Sequence, residues 1–171
     1  MILGLDISTS ITGATILNDQ GRIVYCEDWD TRKIKNVFHK AAAIQSFLRE
    51  ILNKHNIQYI FIEQSLQMFR PGFSSAKTLT TLSKFNGIVS WMCWETFRLE
   101  PTYLAAVSAR KACGITVPRG SKAKEVVLEH IKKEEPDFKY ELTRAGNPTP
   151  GTYDRADSIV IAKAGFLSIK N

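Results

Sequence analysis

Residues 1–9 read Met-Ile-Leu-Gly-Leu-Asp-Ile-Ser-Thr, an apolar run interrupted by one carboxylate, Asp6. Three more acids stand at similar places: Glu63 ends a second apolar run, and Asp154 and Asp157 open a third. A buried charge is costly unless it is paired, hydrogen-bonded or bound to a cation. Four acids at the ends and centres of core elements therefore predict a divalent metal site.

The positions of these four acids along the chain favour their meeting at one site. Asp6 lies within a predicted strand and Glu63 at the end of another, so adjacent pairing of the two strands would bring both acids together. Asp154 and Asp157 are three residues apart in the first turns of a predicted helix and share one of its faces. Oxygen ligands suit Mg²⁺, with Mn²⁺ as a possible substitute, and two such ions could assist in-line displacement at phosphorus.

Each acid also has an ordinary explanation. Acids in a first helical turn are favoured by the helix dipole, which would account for Asp154 and Asp157. Glu63 could be a solvated charge at a strand end. Asp6 is harder to explain in this way, because a central acid in a short apolar strand needs a partner and the neighbouring sequence offers no Lys or Arg.

Length and charge limit the class of protein. The chain has 171 residues with 44% hydrophobic content, which predicts a single domain spanning residues 1–171. Lys and Arg number 23 against 17 Asp and Glu, a net charge of +6. A basic surface favours a polyanionic partner, although many soluble proteins are mildly basic and charge alone does not decide.

Other classes are disfavoured by what the chain lacks. Three separated cysteines without a C-x-x-C pair predict reduced thiols in a cytoplasmic protein. The three histidines show no zinc-ligand spacing. No apolar run approaches the ~18 residues of a membrane span, and a leader peptide is not evident. We expect no membrane partner and no organic cofactor.

The order of elements predicts an α/β fold with a five-stranded mixed sheet flanked by helices. Runs at 2–8, 12–18 and 22–29 form an antiparallel meander, followed by a helix from Ile34 and a strand over 57–62. The rest of the pattern predicts a helix from Ser74 or Ser75 to Phe97, a strand over 103–107, short helices at 108–113 and 122–133, and a last helix capped by Thr152. The intervening segment 134–151 is rich in Pro and Gly and is predicted to be a mobile loop.

Three segments of the chain resemble the motifs of RuvC-type Holliday junction resolvases in order and spacing. They are Gly-Leu-Asp-Ile-Ser-Thr-Ser-Ile-Thr-Gly at 4–13, Ile-Glu-Gln at 62–64, and Asp-Arg-Ala-Asp-Ser-Ile-Val-Ile-Ala at 154–162. The resemblance implies a ribonuclease H-like fold, a homodimer, and magnesium-dependent nicking of four-way DNA junctions that leaves 5′-phosphates. It also implies four acidic metal ligands: Asp6, Glu63, Asp154 and Asp157.

Two weaker features of the family are present. Residues 123–127 are similar to a basic helix start whose lysine approaches the scissile phosphate, which implies that Lys124 stabilises charge in the transition state; an exposed helical lysine is the ordinary alternative. The loop 67–73 resembles the region that offers aromatic residues at the junction centre. The predicted DNA contacts are Phe69, Arg70, Phe73, Lys77, Arg110, Lys111 and Lys122.

The chain also departs from this pattern. Bacterial resolvases carry a proline-glycine pair after the first aspartate, where Ile7, Ser8 and Thr9 stand here. The loop after Glu63 also differs. The departures indicate a divergent branch, for instance a phage-type enzyme that acts in a bacterial host cell.

Two other classes of function remain to be weighed. Residues 4–9 also resemble the first phosphate loop of actin-like sugar kinases, but such enzymes need two lobes and the chain supplies about one. A non-catalytic junction-binding module is the second alternative, and retention of all four acids argues against it.

We therefore expect a dimeric, structure-selective endonuclease for four-way and other branched DNA. Its predicted dimer surface is the helix 74–97, through Ala76, Leu79, Leu82, Gly87, Ile88 and Met92.

Overall fold

Five strands form one mixed sheet. The computed structural model describes residues 1–64 and 76–170. The strands are β1 (Ile2–Asp6), β2 (Ile11–Leu17), β3 (Ile23–Asp30), β4 (Tyr59–Glu63) and β5 (Thr102–Leu104), in the spatial order β3-β2-β1-β4-β5. The first three are antiparallel neighbours, whereas β4 pairs parallel with both β1 and β5. The predicted mixed sheet with a leading meander is therefore confirmed.

Helices cover both faces of the sheet. They are α1 (Val37–Lys54), α2 (Ala76–Phe97), α3 (Ala106–Ala112), α4 (Ala123–Glu134) and α5 (Thr152–Lys170). Alternate residues of each strand point to opposite faces, so one face of β1 buries Leu3 and Leu5 among α1 and α2. Ile2, on the other face, packs with α3, α4 and α5. The core thus has one layer on each side of the sheet.

Some predicted boundaries are wrong by a few residues. The predicted strand 103–107 ends at Leu104, and α3 begins at Ala106, before the predicted start at residue 108. Lys122, and not Ser121, occupies the N-cap position of α4, where no side chain accepts a capping hydrogen bond. Thr152 is the first helical residue of α5. The predicted cap at Ser74 or Ser75 lies outside the described residues.

The segment between α4 and α5 has local structure of its own. Leu142 and Pro148 form an antiparallel bridge, and the Thr143 N–H donates to the carbonyl of Asn147 at 2.7 Å. These contacts make residues 141–149 a small hairpin that leads into α5. Within the described residues, none of the helices is long and apolar enough to cross a membrane.

Candidate active site

Two of the four acids lie side by side at the carboxyl ends of parallel strands. The register pairs Leu5 of β1 with Ile62 of β4, so Asp6 and Glu63 are each the next residue along. Each also follows by two positions a residue that faces α5, namely Gly4 on β1 and Phe61 on β4. Because strand side chains alternate between faces, both carboxylates point to the α5 side of the sheet.

The other two acids reach this place because α5 lies unusually close to the sheet. Gly13 is the β2 partner of Asp6. A Cβ added at Gly13 would lie 1.9 Å from the carbonyl oxygen of Asp154, and one added at Gly4 would lie 2.6 Å from Ala162. Glycine is the residue that permits such an approach of one backbone to another. The start of α5 therefore rests directly beside Asp6.

A buried hydrogen bond fixes the rotation of α5. The hydroxyl oxygens of Thr15 and Ser158 lie 2.7 Å apart. The Ser158 hydroxyl also lies 2.8 Å from the carbonyl oxygen of Arg155, so Ser158 is held from two sides. With Ser158 held against β2, its neighbour Asp157 is directed towards β1 and β4.

The start of α5 is held from the side as well. Arg155 forms an ion pair with Asp28 of β3, with 3.4 Å between Nε and Oδ1. The Asp28 carboxylate also fills the space beside Gly151, where a Cβ would lie 2.4 Å from it. Gly151 has φ +92, a conformation that glycine adopts without strain. The ion pair and the glycine turn together place Asp154 and Asp157 at the site.

Burial raises the pKa of all four carboxyl groups, and the charges of neighbouring carboxylates raise these pKa values further. Burial raises the pKa of Asp6 well above its usual value, and the charges of Glu63, Asp157 and Asp154 raise it further. Burial and the charge of Asp157 raise the pKa of Glu63 to about 7. The pKa of Asp157 is raised to about 6, by burial and by Asp154. Burial also raises the pKa of Asp154. The arrangement disfavours ionised acids and would be stabilised by a bound cation.

Two basic side chains oppose this effect. Lys124, at the start of α4, lowers the pKa of Asp6, Glu63 and Asp157. Arg110 of α3 lowers the pKa of Glu63 and Asp157. Both side chains therefore lie within electrostatic reach of the acids, although each is at least 30 residues from any of them along the chain.

The donor set suits a hard divalent cation. Carboxylate oxygens are the ligands that Mg²⁺ and Mn²⁺ prefer. The carboxylates of this site repel one another, and a bound cation would reduce that repulsion. The described residues contain no group of three His, Cys, Asp or Glu side chains arranged to ligate one ion. Mg²⁺ usually keeps several waters and needs only one or two carboxylates beside substrate phosphate. The acids fit such an ion in charge and chemistry, without forming a closed protein cage.

The predicted DNA contacts are spread around this end of the molecule. Arg110 is half-buried beside the acids, whereas Lys77, Lys111 and Lys122 are exposed on α2, α3 and the start of α4. Lys122 is engaged with Glu125, with 2.9 Å between the charged atoms. Three of the predicted contacts lie outside the described residues: Phe69, Arg70 and Phe73.

The predicted dimer surface on α2 has a different composition from the one expected. Ile88 and Met92 are half-buried and pack partly against the core. The exposed face instead carries Gly87, whose added Cβ would meet nothing, together with Trp91 and Trp94, which are 58% and 44% exposed. Sequence periodicity did not separate these faces, because α2 is apolar on both.

Residues that position the site were not found from the sequence. They are Gly4, Gly13, Thr15, Asp28, Arg155 and Ser158. The available signal was glycine inside two predicted strands, which marks a close backbone approach. The ion pair between Asp28 and Arg155 joins positions far apart in the chain and had no local signal.

Comparison with solved structures identifies the fold. Thermus thermophilus RuvC in complex with a Holliday junction substrate matches with a TM-score of 0.68 at 14% identity, over 99% of this chain and 95% of that one. Thermus thermophilus RuvC matches in another structure with a TM-score of 0.65 at 17% identity, again over 99% and 95%. The yeast mitochondrial Holliday junction resolvase matches with a TM-score of 0.57 at 15% identity, over 97% and 77%.

These matches concern architecture. No protein-family model matches the chain, and no curated protein matches it by sequence. At 14–17% identity the likeness shows a common fold. The chain has the RuvC-type, ribonuclease H-like fold, as the resemblance implied.

Proposed function

We propose that this protein is a metal-dependent, structure-selective endodeoxyribonuclease that nicks four-way DNA junctions and other branched DNA. The observation that supports this proposal most strongly is the convergence of Asp6, Glu63, Asp154 and Asp157 at one end of a RuvC-type sheet. Three solved structures with this fold are resolvases, one of them in complex with a Holliday junction substrate. In this proposal residues 1–171 are one nuclease domain.

The four acids would hold Mg²⁺, for which Mn²⁺ could substitute. When bound, such an ion lowers the pKa of a water and stabilises charge on phosphoryl oxygens. The fold orients these metal ligands. The pairing of β1 with β4 directs Asp6 and Glu63, while Gly13 and the Thr15–Ser158 hydrogen bond position Asp154 and Asp157. The expected products carry 5′-phosphates.

Lys124 would stabilise negative charge that develops on the phosphate. Its charge already lowers the pKa of Asp6 and Asp157, which supports this role because the ammonium group lies within electrostatic reach of the same acids. Arg110 is the second cation with this property. Both would attract a phosphate towards carboxylates that otherwise repel it.

DNA arms would be held through phosphate contacts that do not read sequence. Lys77, Lys111 and Lys122 are exposed cations for this role. Phe69, Arg70 and Phe73 would act at the junction centre, where an aromatic ring can stack on an unpaired base for about 1–3 kcal/mol.

A homodimer would let two sites nick symmetric strands. We place the dimer contact on α2, where Trp91 and Trp94 form an exposed apolar face around Gly87. Large exposed apolar residues grouped in this way are typical of protein interfaces.

Because its substrate is DNA and its cysteines are unpaired, we place the protein in the cytoplasm.

The direct test is a gel assay of cleavage with Mg²⁺ at stated salt. Four-way, flapped and linear duplex substrates of the same arm sequence are compared under single-turnover conditions. We expect paired nicks near the centre of the four-way junction and little cutting of the linear duplex.

Other outcomes would replace the proposal. Tight, structure-selective binding without cleavage in Mg²⁺ or Mn²⁺ would indicate a non-catalytic binding module. Absence of both binding and cleavage, with measurable affinity for nucleotides, would favour the kinase-like alternative. Equal cutting of all substrates would leave a nuclease without junction selectivity.

A further inference from the structure

We propose that Lys33 and Lys35 form a second phosphate-binding surface, which grips the backbone of one duplex arm beside the four acids. We call these two residues the β3–α1 lysine pair. They lie in the connection between β3 and α1, a segment for which the sequence analysis assigned no function. This inference rests on the proposed function, because it names a further part of the same DNA surface.

The connection is fastened to the turn that follows Asp6. Thr31 is 1% exposed, and its N–H donates to the carbonyl of Ser10 at 2.9 Å. The ammonium group of Lys40 donates to the carbonyls of Thr9 and Thr31, which ties the two segments together. Since the turn begins two residues after Asp6, the lysine pair has a fixed position relative to the site.

The register of the sheet places this segment near the acids. Asp30, the last residue of β3, pairs with Ile11 of β2, and Gly13, two residues further along β2, lies directly beside Asp154. Arg32, the residue before Lys33, is paired with Asp30, with 2.7 Å between Nη2 and Oδ2. Its hydrogen bonds lower the pKa of Asp30 to about 2, so this pair stays ionised and contributes little net charge.

The lysine pair, in contrast, is free to bind an anion. Lys33 and Lys35 are both exposed, and among the described residues neither makes an ion pair. Several other surface lysines are paired with a nearby glutamate, including Lys54, Lys122 and Lys132. Two unpaired lysines in one short connection are therefore a local excess of positive charge.

The start of α1 adds to this field. The first turn of this 18-residue helix contains no acidic residue, although acids are favoured there. Asn36 caps the Phe38 and His39 N–H groups, so the partial positive charge of the helix start is not offset by a carboxylate. The helix start and the lysine pair face solvent at the end of the sheet that carries the acids.

DNA is the occupant that this arrangement favours. A phosphate backbone that approaches four carboxylates is repelled, and cations at the edge of the site reduce that cost. Duplex DNA carries one charge per ~1.7 Å of helix axis, so the strand that enters the site offers further phosphates at its flank. An acidic protein surface could also bind two lysines, and the experiment separates the two.

The test compares two double variants that remove the same formal charge. Lys33→Ala with Lys35→Ala removes the lysine pair. Arg49→Ala with Lys54→Ala is the control, because both residues are exposed near the opposite end of α1. Affinity for a four-way junction is measured in chelator between 50 and 200 mM KCl, after melting curves show that both variants are folded.

We expect the lysine-pair variant to lose about two units of the log–log salt slope, since each phosphate contact contributes about 0.9. The control should keep the wild-type slope.

Several results would overturn this inference. A wild-type salt slope in the lysine-pair variant would assign the surface to another partner, such as an acidic protein. Equal losses in both variants would show a general effect of charge. If the wild-type protein binds no DNA, the proposed function fails as well. If the wild-type protein binds DNA with a steep salt dependence and the lysine-pair variant keeps the same slope, this inference alone fails.

Discussion

The two halves of α5 both lie close against the sheet, but they bring different chemistry to it. The N-terminal half places Asp154 and Asp157 over Gly13, where burial and like charges raise the pKa of both acids. The C-terminal half places Ala162 over Gly4 and Gly165 over the ring of Phe61. The first half places two carboxyl groups against the sheet, whereas the second places an alanine and a glycine against it.

This difference shows how the protein can stay folded although the site buries like charges. Burying like charges destabilises the folded state, whereas each large apolar side chain that is buried stabilises it by about 1.5–3 kcal/mol. Ile159 and Ile161 lie within α5 and are almost fully buried. The apolar part of the helix therefore anchors it, and the polar end is available for chemistry.

The largest effect should come from removing single acids. Asp6→Asn, Glu63→Gln and Asp157→Asn should each lower the nicking rate on the order of 10³-fold or more, because each change removes several kcal/mol of metal-assisted stabilisation. Junction affinity in chelator should stay within a fewfold, since phosphate contacts come from other residues. Single-turnover cleavage and equilibrium binding are measured side by side. A variant that cuts at the wild-type rate would refute the metal assignment.

Loss of Lys124 should have the second largest effect, because its charge acts on the site to which the N-terminal half of α5 brings its acids. Lys124→Ala should lower the rate about 10²-fold by removing a charge that stabilises the transition state. Lys124 lowers the pKa of Asp6, Glu63 and Asp157, so its loss raises them. The acid limb of the pH–rate profile should therefore move to higher pH.

The matched control for this variant is Lys133→Ala, near the far end of the same helix. It should leave both the rate and the pH profile unchanged. An unshifted acid limb in Lys124→Ala would mean that this lysine acts elsewhere, for example only in binding.

A pair of glycine variants tests the comparison most closely. Gly13→Ala forces a Cβ to within 1.9 Å of the Asp154 carbonyl, so the polar end of α5 must move. Gly165→Ala places a Cβ 2.3 Å from the Phe61 ring at the apolar end. Overpacking should destabilise both proteins by about 1–3 kcal/mol.

Only the first variant should lose activity while folded. A displacement of about 1 Å at a catalytic group can cost 10²-fold, so Gly13→Ala should nick about 10- to 10²-fold more slowly. Gly165→Ala should retain its rate to within about threefold. Both rates are measured at least 15 °C below each variant's melting temperature. Equal rate losses would contradict the division of α5 into two functional halves.

The smallest expected effect is a gain in stability. The pKa of Glu63 is about 7 in the folded state, against an ordinary value of 4.5 for a glutamate side chain. A raised pKa contributes stability that is fully present below about 4.5 and is lost as the pH rises through about 7. Without metal at pH 8, Glu63→Gln should therefore be more stable than wild type by about 1–3 kcal/mol.

Thermal denaturation in chelator measures this gain. Adding Mg²⁺ should stabilise the wild-type protein more than the variant, because the variant has lost a ligand. If Glu63→Gln is less stable than wild type at pH 8, its carboxylate is an ordinary structural group.

Periodicity and local chemistry predicted the helices, the strands and the mixed α/β class, whereas the ribonuclease H-like fold was implied by the resemblance to RuvC-type resolvases. The alternation in 2–8 and 12–18 and the apolar stripe from Ile34 predicted the meander and α1, because each pattern is local. The order of strands and helices then left few arrangements of the sheet. The acids were conspicuous because each breaks the pattern of its own element.

The positioning of the site could not be predicted in this way. The contacts of Gly13 with Asp154 and of Thr15 with Ser158 join residues about 140 positions apart, and no local pattern encodes them. Lys124 supplies the cation that the sequence around Asp6 lacks, from another layer of the fold. The exposed Trp91 and Trp94 on α2 were not singled out for the same reason, since only packing decides which apolar face is covered.

Calorimetric titration of Mn²⁺ into wild-type protein and Asp157→Asn tests the central claim most directly. The titration is run at pH 6.5 in two buffers with different heats of ionisation. Glu63 and Asp157, with pKa values of about 7 and about 6, are partly protonated at this pH, so metal binding must release protons. We predict binding to the wild type with a buffer-dependent heat, and strongly weakened binding to the variant. Absence of binding by the wild type, or equal binding with no proton release in both proteins, would contradict a metal site built from these acids.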